Sequence, residues 1–203
     1  MSEIIQYKKH TIKIERDNDP IDPREDDNLG TMVCSHRNYM LGDKQCGDTG
    51  LLTYLDQKYN IIKPRHTEQY DTVIKKWFER NVISLPLYLF DHSGVTMSTT
   101  PFFNNRWDSG QVGVIYVLKK DVRKEFNITR ISKRIREHVV MRLCQEVKTY
   151  DEYLTGNVWG YVCDDEIKDS YWGYLGNSGK EQAIVDAKAV IDWHVQYRTP
   201  LEV

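Results

Sequence analysis

The sequence contains no C-x-x-C pair, no H-x-x-x-H and no H-E-x-x-H. A zinc knuckle, a thioredoxin-like redox site and a zincin-type metalloprotease each need one of these spacings, so none is indicated. No G-x-S-x-G nucleophile elbow occurs, and the glycine-rich segment at 38–50 (NYMLGDKQCGDTG) matches neither a P-loop nor G-x-G-x-x-G. No apolar run nears the roughly 20 residues that a membrane helix requires. The opening MSEIIQYKKHTIKI lacks a basic segment followed by an apolar one, so export is not expected and a cytoplasmic location is. An excess of one charge is also missing: 28 Lys and Arg stand against 30 Asp and Glu, a formal net charge of -2. That balance argues against a general nucleic-acid binder and against a whole-surface DNA mimic. No Gly/Ser-rich or Pro-rich linker interrupts the chain, so one α+β domain over 1–203 is expected.

What is present is organised around residues 81–126, NVISLPLYLFDHSGVTMSTTPFFNNRWDSGQVGVIYVLKKDVRKEF. Two apolar runs, Ile83–Phe90 and Val112–Leu118, have the length and β-branched or aromatic content of buried strands. Between them lies an insert of polar and aromatic residues, and long loops between core strands tend to be functional. The two runs are expected to be neighbouring central strands, with a long helix over 131–150 covering a face.

Elsewhere, His10–Glu15 alternates as a half-buried strand. Residues 16–30 (RDNDPIDPREDDNLG) form an acidic, proline-interrupted loop, read as solvated, with a hard-cation site as the alternative. Thr31–Ser35 is a short strand and 51–59 a short helix. Thr67 is placed to cap a helix over Glu68–Arg80. Asp121–Phe126 suggests a single helical turn. Thr129 or Ser132 then opens the longest helix, whose Ile131, Ile135, Val139, Leu143 and Val147 recur every four residues. Val158–Cys163 and Tyr171–Leu175 read as a hairpin, and Lys180 to about Tyr197 as a last helix after a turn at Asn177–Gly179. Strands come in adjacent groups rather than in βαβ crossovers. The expectation is therefore α+β, a mainly antiparallel sheet with helices packed on one face. Four reduced cysteines are expected, Cys34, Cys144 and Cys163 in the core and Cys46 exposed among polar neighbours.

The stretch LPLYLFDHSGVTMSTTPFFNNRWDSGQVGVIYV resembles an uncharacterised family carried by bacteriophages and other mobile elements. PREDDNLGTMVC, NYMLGDK and YDEYLTGNVWGYV extend the resemblance over about 10–175. Phe102-Phe103-Asn104-Asn105-Arg106 departs from the family's shorter segment at this place. The resemblance implies an accessory protein working inside an infected or plasmid-bearing bacterium; it implies no catalytic roles.

Three kinds of chemistry remain open. The first is binding of a host protein or complex, a non-enzymatic role such as counter-defence or host modulation. It rests on Phe102, Phe103, Arg106 and Trp107, because aromatic and Arg side chains dominate interface hot spots. Ser98 and Thr99 could add hydroxyls to such a site, although runs of this kind commonly bond their own backbone. The second is a small hydrolytic or metal-dependent enzyme using Asp91, His92 and Asp108. Adjacent strand residues face opposite ways, so a triad would need members from elsewhere. The third is nucleic-acid binding by the basic 119–136 segment, with Arg130, Lys133 and Arg134 as the contacts, against a plain solvated helix face. No cofactor, no resident metal and no membrane contact is expected.

Overall fold

The computed structural model describes residues 2–47, 50–61, 70–92, 94–101 and 109–197. In chain order its elements are β1 (Glu3–Tyr7), β2 (His10–Arg16), β3 (Thr31–Cys34), β4 (Lys44–Gln45), α1 (Gly50–Tyr59), α2 (Tyr70–Asn81) and β5 (Val82–Asp91). There follow β6 (Val95–Ser98), β7 (Ser109–Leu118), α3 (Lys119–Glu125), α4 (Lys133–Leu154), β8 (Val158–Cys163), β9 (Ser170–Leu175) and α5 (Gly176–Tyr197). The class is α+β, with mostly antiparallel strands divided between two sheets rather than gathered into one. The chain separates into two compact units, Met1–Pro23 with Thr149–Val203, and Arg24–Lys148.

The first unit is a four-stranded antiparallel sheet of order β1-β2-β8-β9. Ile12, Ile14, Trp159, Tyr161 and Cys163 turn one face onto α5, which answers with Ala183, Ala187 and Ile191. Those three lie four residues apart and so share a helix face. Small alanines at two of them bring the helix close to the sheet. Gly160 accommodates a neighbour: a Cβ there would lie 2.2 Å from the Trp172 ring on β9, so only glycine lets that indole lie across β8. The helix α5 begins at Gly176, four residues before the expected start, and takes in the Asn177–Gly179 segment expected to be a turn. Gly176 sits at φ +74, a conformation that glycine adopts without strain, and this lets the helix follow β9 directly.

The second unit is a five-stranded sheet of order β4-β3-β7-β5-β6. β5 and β7 are paired antiparallel and central, from Val82 opposite Leu118 to Phe90 opposite Ser109. Residues 114–118 are buried without a break, so both faces of β7 are covered, where one covered face was expected. Val114, Tyr116 and Leu118 pack with Val33, Val82 and Leu55 under α1 and α2. On the other face Ile115 and Leu143 of α4 both close on Gly30, where a Cβ would fall within 2.8 Å of each side chain. Val139, Leu143 and Val147, from the expected apolar stripe, are fully or almost fully buried.

Three strands go beyond the sequence reading: β1, β4 and β6. The last lies inside the insert, where Val95–Ser98 folds back along Tyr88–Asp91 as a hairpin. Cys46 is buried, contrary to its expected exposure. Its N–H donates to the Cys34 carbonyl at 2.9 Å, and the short parallel pairing of β4 with β3 draws the polar loop over the core. Residues 62–69 lie outside the described residues, so the Thr67 cap does too.

Candidate functional site

The expected loop site divides. Phe102, Phe103, Arg106, Trp107 and Asp108 lie outside the described residues. Ser98 and Thr99 are engaged in structure. The Ser98 hydroxyl accepts the Thr100 N–H at 3.0 Å and lies 3.0 Å from the Thr100 hydroxyl, a local turn that satisfies its own backbone. Thr99 Oγ1 is 3.8 Å from the Cys144 thiol on α4. Asp91 and His92 do not converge. Asp91 lines a cavity of about 610 Å³ with His36, Arg37, Asn38, Ser109 and Gln111, whereas His92 is not among its described lining residues. The ring of His92 lies 6.0 Å from that of Phe90 instead. Tyr39, which is not among the described lining residues, donates to Asp91, which raises the phenol's pKa, and its ring stacks on His36 at 4.9 Å. His36 Nδ1 in turn accepts the Asn38 N–H. Among the described residues no group of three or more His, Cys, Asp and Glu is placed to hold a metal ion, and no helix is long and apolar enough to cross a membrane.

A different arrangement forms where α2 ends and α3 and α4 begin. β7 runs straight into α3, which places Lys119 and Arg123 beside the end of α2. α3 closes in a Schellman turn: Ile128 N–H donates to the Arg123 carbonyl at 2.9 Å and Asn127 N–H to that of Lys124 at 3.2 Å. Asn127 takes the left-handed conformation this turn needs, φ 49. The reversal carries Thr129–Lys133 back against Arg123. Ser132 then caps α4, its hydroxyl accepting the Ile135 N–H at 3.3 Å.

These elements enclose a cleft of about 420 Å³ lined by Arg80, Lys119, Arg123, Arg130, Lys133 and Arg136, with Ile83, Thr129, Ile131 and Ser132 between them. Among the described residues no carboxylate lines it. Among the described residues, Arg80, Arg123, Arg130 and Arg136 form no ion pair, and Lys133 has only a loose 3.9 Å contact with Glu137. The nearby acid Glu125 is held instead by Arg142, at 3.0 Å. Ser132 and Lys133 at the start of α4 line the same cleft, which brings the positive end of the helix dipole to it.

Lys119 is fixed differently from the others. Its ammonium donates to the carbonyls of Glu79 and Arg80 at 2.9 and 3.0 Å, closing the C-terminus of α2. Asn81 does the same for the Trp77 carbonyl at 2.8 Å. Carbonyls that would repel an anion are thus already bonded. Burial lowers the Lys119 pKa, and the charges of Arg136 and Arg123 lower it further. Lys119 and the two arginines that lower its pKa form a positive field, with no carboxylate among the described lining residues to cancel it.

A smaller cavity of about 270 Å³ adjoins the cleft and shares Arg80, Lys119 and Arg123 with it. Its wall is Tyr59 and Trp77, stacked with ring centres 5.1 Å apart and planes at 27°. Behind them Tyr59 and Tyr116 bring their hydroxyls to 2.9 Å, and Lys58 donates to Tyr116 at 3.1 Å and to Tyr54 at 3.2 Å. Burial first, then the Tyr59 hydroxyl, raises the pKa of Tyr116. Burial works against the Lys58 charge, yet the tyrosine hydroxyls outweigh it and raise its pKa.

Of the basic residues singled out from sequence, Arg130 and Lys133 face the cleft and Arg134 is not among its lining residues. Helix geometry separates them: positions 133 and 136 are three apart and share a face, while 134 is turned about 100° away. Arg80 was outside the basic run altogether, and only the packing of α2 against α3 brings it in.

No protein-family model, curated protein or solved structure matches this chain.

Proposed function

We propose that this protein binds nucleic acid, holding the phosphodiester backbone in the cleft between α2, α3 and α4. The observation that carries this reading is the collection of six cationic side chains around one cavity, with no carboxylate among the described residues of its wall. Like charges gathered without counter-charge cost the folded state free energy, and a polyanion offsets that cost. Arginine predominates over lysine, four to two, which suits bidentate contacts to phosphate oxygens. The net charge of -2 means that affinity must come from this patch rather than from the whole surface. In the setting implied by the phage-family resemblance, the host macromolecule engaged is then a nucleic acid, not the host protein expected from the 102–107 loop.

The test is fluorescence anisotropy with labelled single-stranded and duplex oligonucleotides at several salt concentrations. Wild-type protein should bind at low salt and weaken as salt rises, with a slope of about -0.7 to -0.9 per phosphate contacted. The triple change Arg123→Glu, Arg130→Glu, Arg136→Glu should abolish binding with the circular dichroism spectrum retained. No binding of either form at low salt would sink the reading.

A further inference from the structure

We infer that the small cavity beside the cleft receives an unpaired base, so that the nucleic acid recognised is single-stranded. The inference rests on the proposed backbone cleft and adds the substrate class. Three residues, Arg80, Lys119 and Arg123, line both cavities, so a phosphate held on them stands at the junction. One nucleoside attached to that phosphate then reaches the smaller cavity while the neighbouring backbone follows the cleft. The wall it meets is the Tyr59–Trp77 stack. Both rings are only partly buried, so π surface remains for a further ring. In a duplex each base is covered above and below by its neighbours and cannot offer a face. Aromatic side chains beside a positive groove are therefore a device for unpaired strands.

Preorganisation supports the same reading. The Tyr59 hydroxyl is fixed by Tyr116, its ring lies 5.4 Å from the Lys58 ammonium, and its other contact is the indole of Trp77. The Trp77 carbonyl is bonded by Asn81, which is itself part of the cavity wall. The wall is thus held in place before any ligand arrives. Stacking of this kind tolerates any base, so the preference expected is for strandedness and not for sequence.

The experiment compares three labelled ligands of equal length on the full chain: an oligodeoxyadenylate, an abasic strand with the same phosphates, and a duplex. Wild-type protein should bind the adenylate roughly tenfold more tightly than the abasic strand and more tightly than the duplex. Trp77→Ala should erase the advantage over the abasic strand; Trp77→Phe should retain most of it. Equal binding of adenylate and abasic strands by wild-type protein would overturn the base pocket and leave the backbone cleft standing. Preference for the duplex would overturn it as well. Loss of all three ligands would instead remove the backbone cleft and the base pocket with it. Because the decisive comparison uses wild-type protein, instability of the Trp77→Ala variant does not protect the inference.

Discussion

Two sets of arginines in the Arg24–Lys148 unit face opposite circumstances. Arg24 sits in the acidic loop with its side chain only 4% exposed, bonded to Asp43 through two 2.8 Å contacts and to Glu146 at 3.1 Å. It also donates to the Gly30 carbonyl at 2.7 Å. The carboxylates are themselves fully used: Asp43 accepts the Met32 N–H at 2.7 Å, and Glu146 accepts the N–H groups of Leu29 and Gly30. Burial works against the Arg24 charge, yet Asp43 and Glu146 outweigh it and its pKa is raised. The arginines of the cleft have cations for neighbours and no acid among the described residues of the wall. The same side chain is structural where its charge is answered within the fold. Where the charge is left unanswered in company, it is free to meet the nucleic acid proposed above.

The largest test of this contrast is Arg24→Ala. It leaves Asp43, 19% exposed, without its cation, and Glu146, 10% exposed, with only the longer 3.9 Å contact to Arg142. Removing one member of a buried ion pair costs about 3–5 kcal/mol. Urea unfolding should show that loss, and a variant of near wild-type stability would mean that the loop is held by other contacts. The cleft arginines should behave in the opposite way. Arg123→Gln or Arg136→Gln should change stability by no more than about 0.5 kcal/mol, with any gain largest at low salt, because each removes a like-charge repulsion. A cost as large as that of Arg24→Ala would place the cleft residues among the structural ones.

Next in size is the comparison of two neighbours on one helix. Arg136→Gln should lower the salt slope of oligonucleotide binding by about 0.7–0.9, since Arg136 lines the cleft. Arg134→Gln, on the adjoining face, should leave the slope unchanged. Equal effects would show that the protein uses diffuse charge and not this cavity.

Local pattern was legible where it decides structure on its own. The two apolar runs of the organising stretch, the four-residue stripe of α4 and the β8–β9 hairpin all follow from periodicity and turn residues. The division into two sheets does not, because β2 pairs with β8, Ile12 opposite Cys163, across most of the chain. Strand pairing over such distances leaves no local mark. The acidic loop read as solvated because its charged residues outnumber the apolar ones, and nothing in DPREDD sets Arg24 apart as the charged residue that turns inward. Cys46 misled for the same reason: polar neighbours in sequence became a cover over the Val33–Leu118 core. Of the cleft, the 119–136 basic run was visible. Its face was not, and neither were Arg80 and the Tyr59–Trp77 wall, which belong to helices much earlier in the chain.

The smallest expected effect concerns one proton. In the free protein the Lys119 pKa lies below its usual 10.5, lowered by burial and then by Arg136 and Arg123. A phosphate at the junction supplies the missing opposite charge and raises it. The bound pKa is then the higher of the two. Affinity is fully present below the free-state pKa, falls as pH rises through it, and levels off once the bound-state pKa is passed. Oligodeoxyadenylate is the suitable ligand, because its bases do not titrate in that range. Arg136→Gln removes one of the causes that lower the free value, so its decline should begin at higher pH than that of wild type, though from a weaker starting affinity. Lys119→Arg keeps the charge throughout and should flatten the curve, since guanidinium stays protonated over the whole range. A wild-type curve already flat up to about pH 10, below the usual lysine range, would show that Lys119 serves only to close α2. A decline that persists in Lys119→Arg would assign the titration to another group, and would move the phosphate away from the junction.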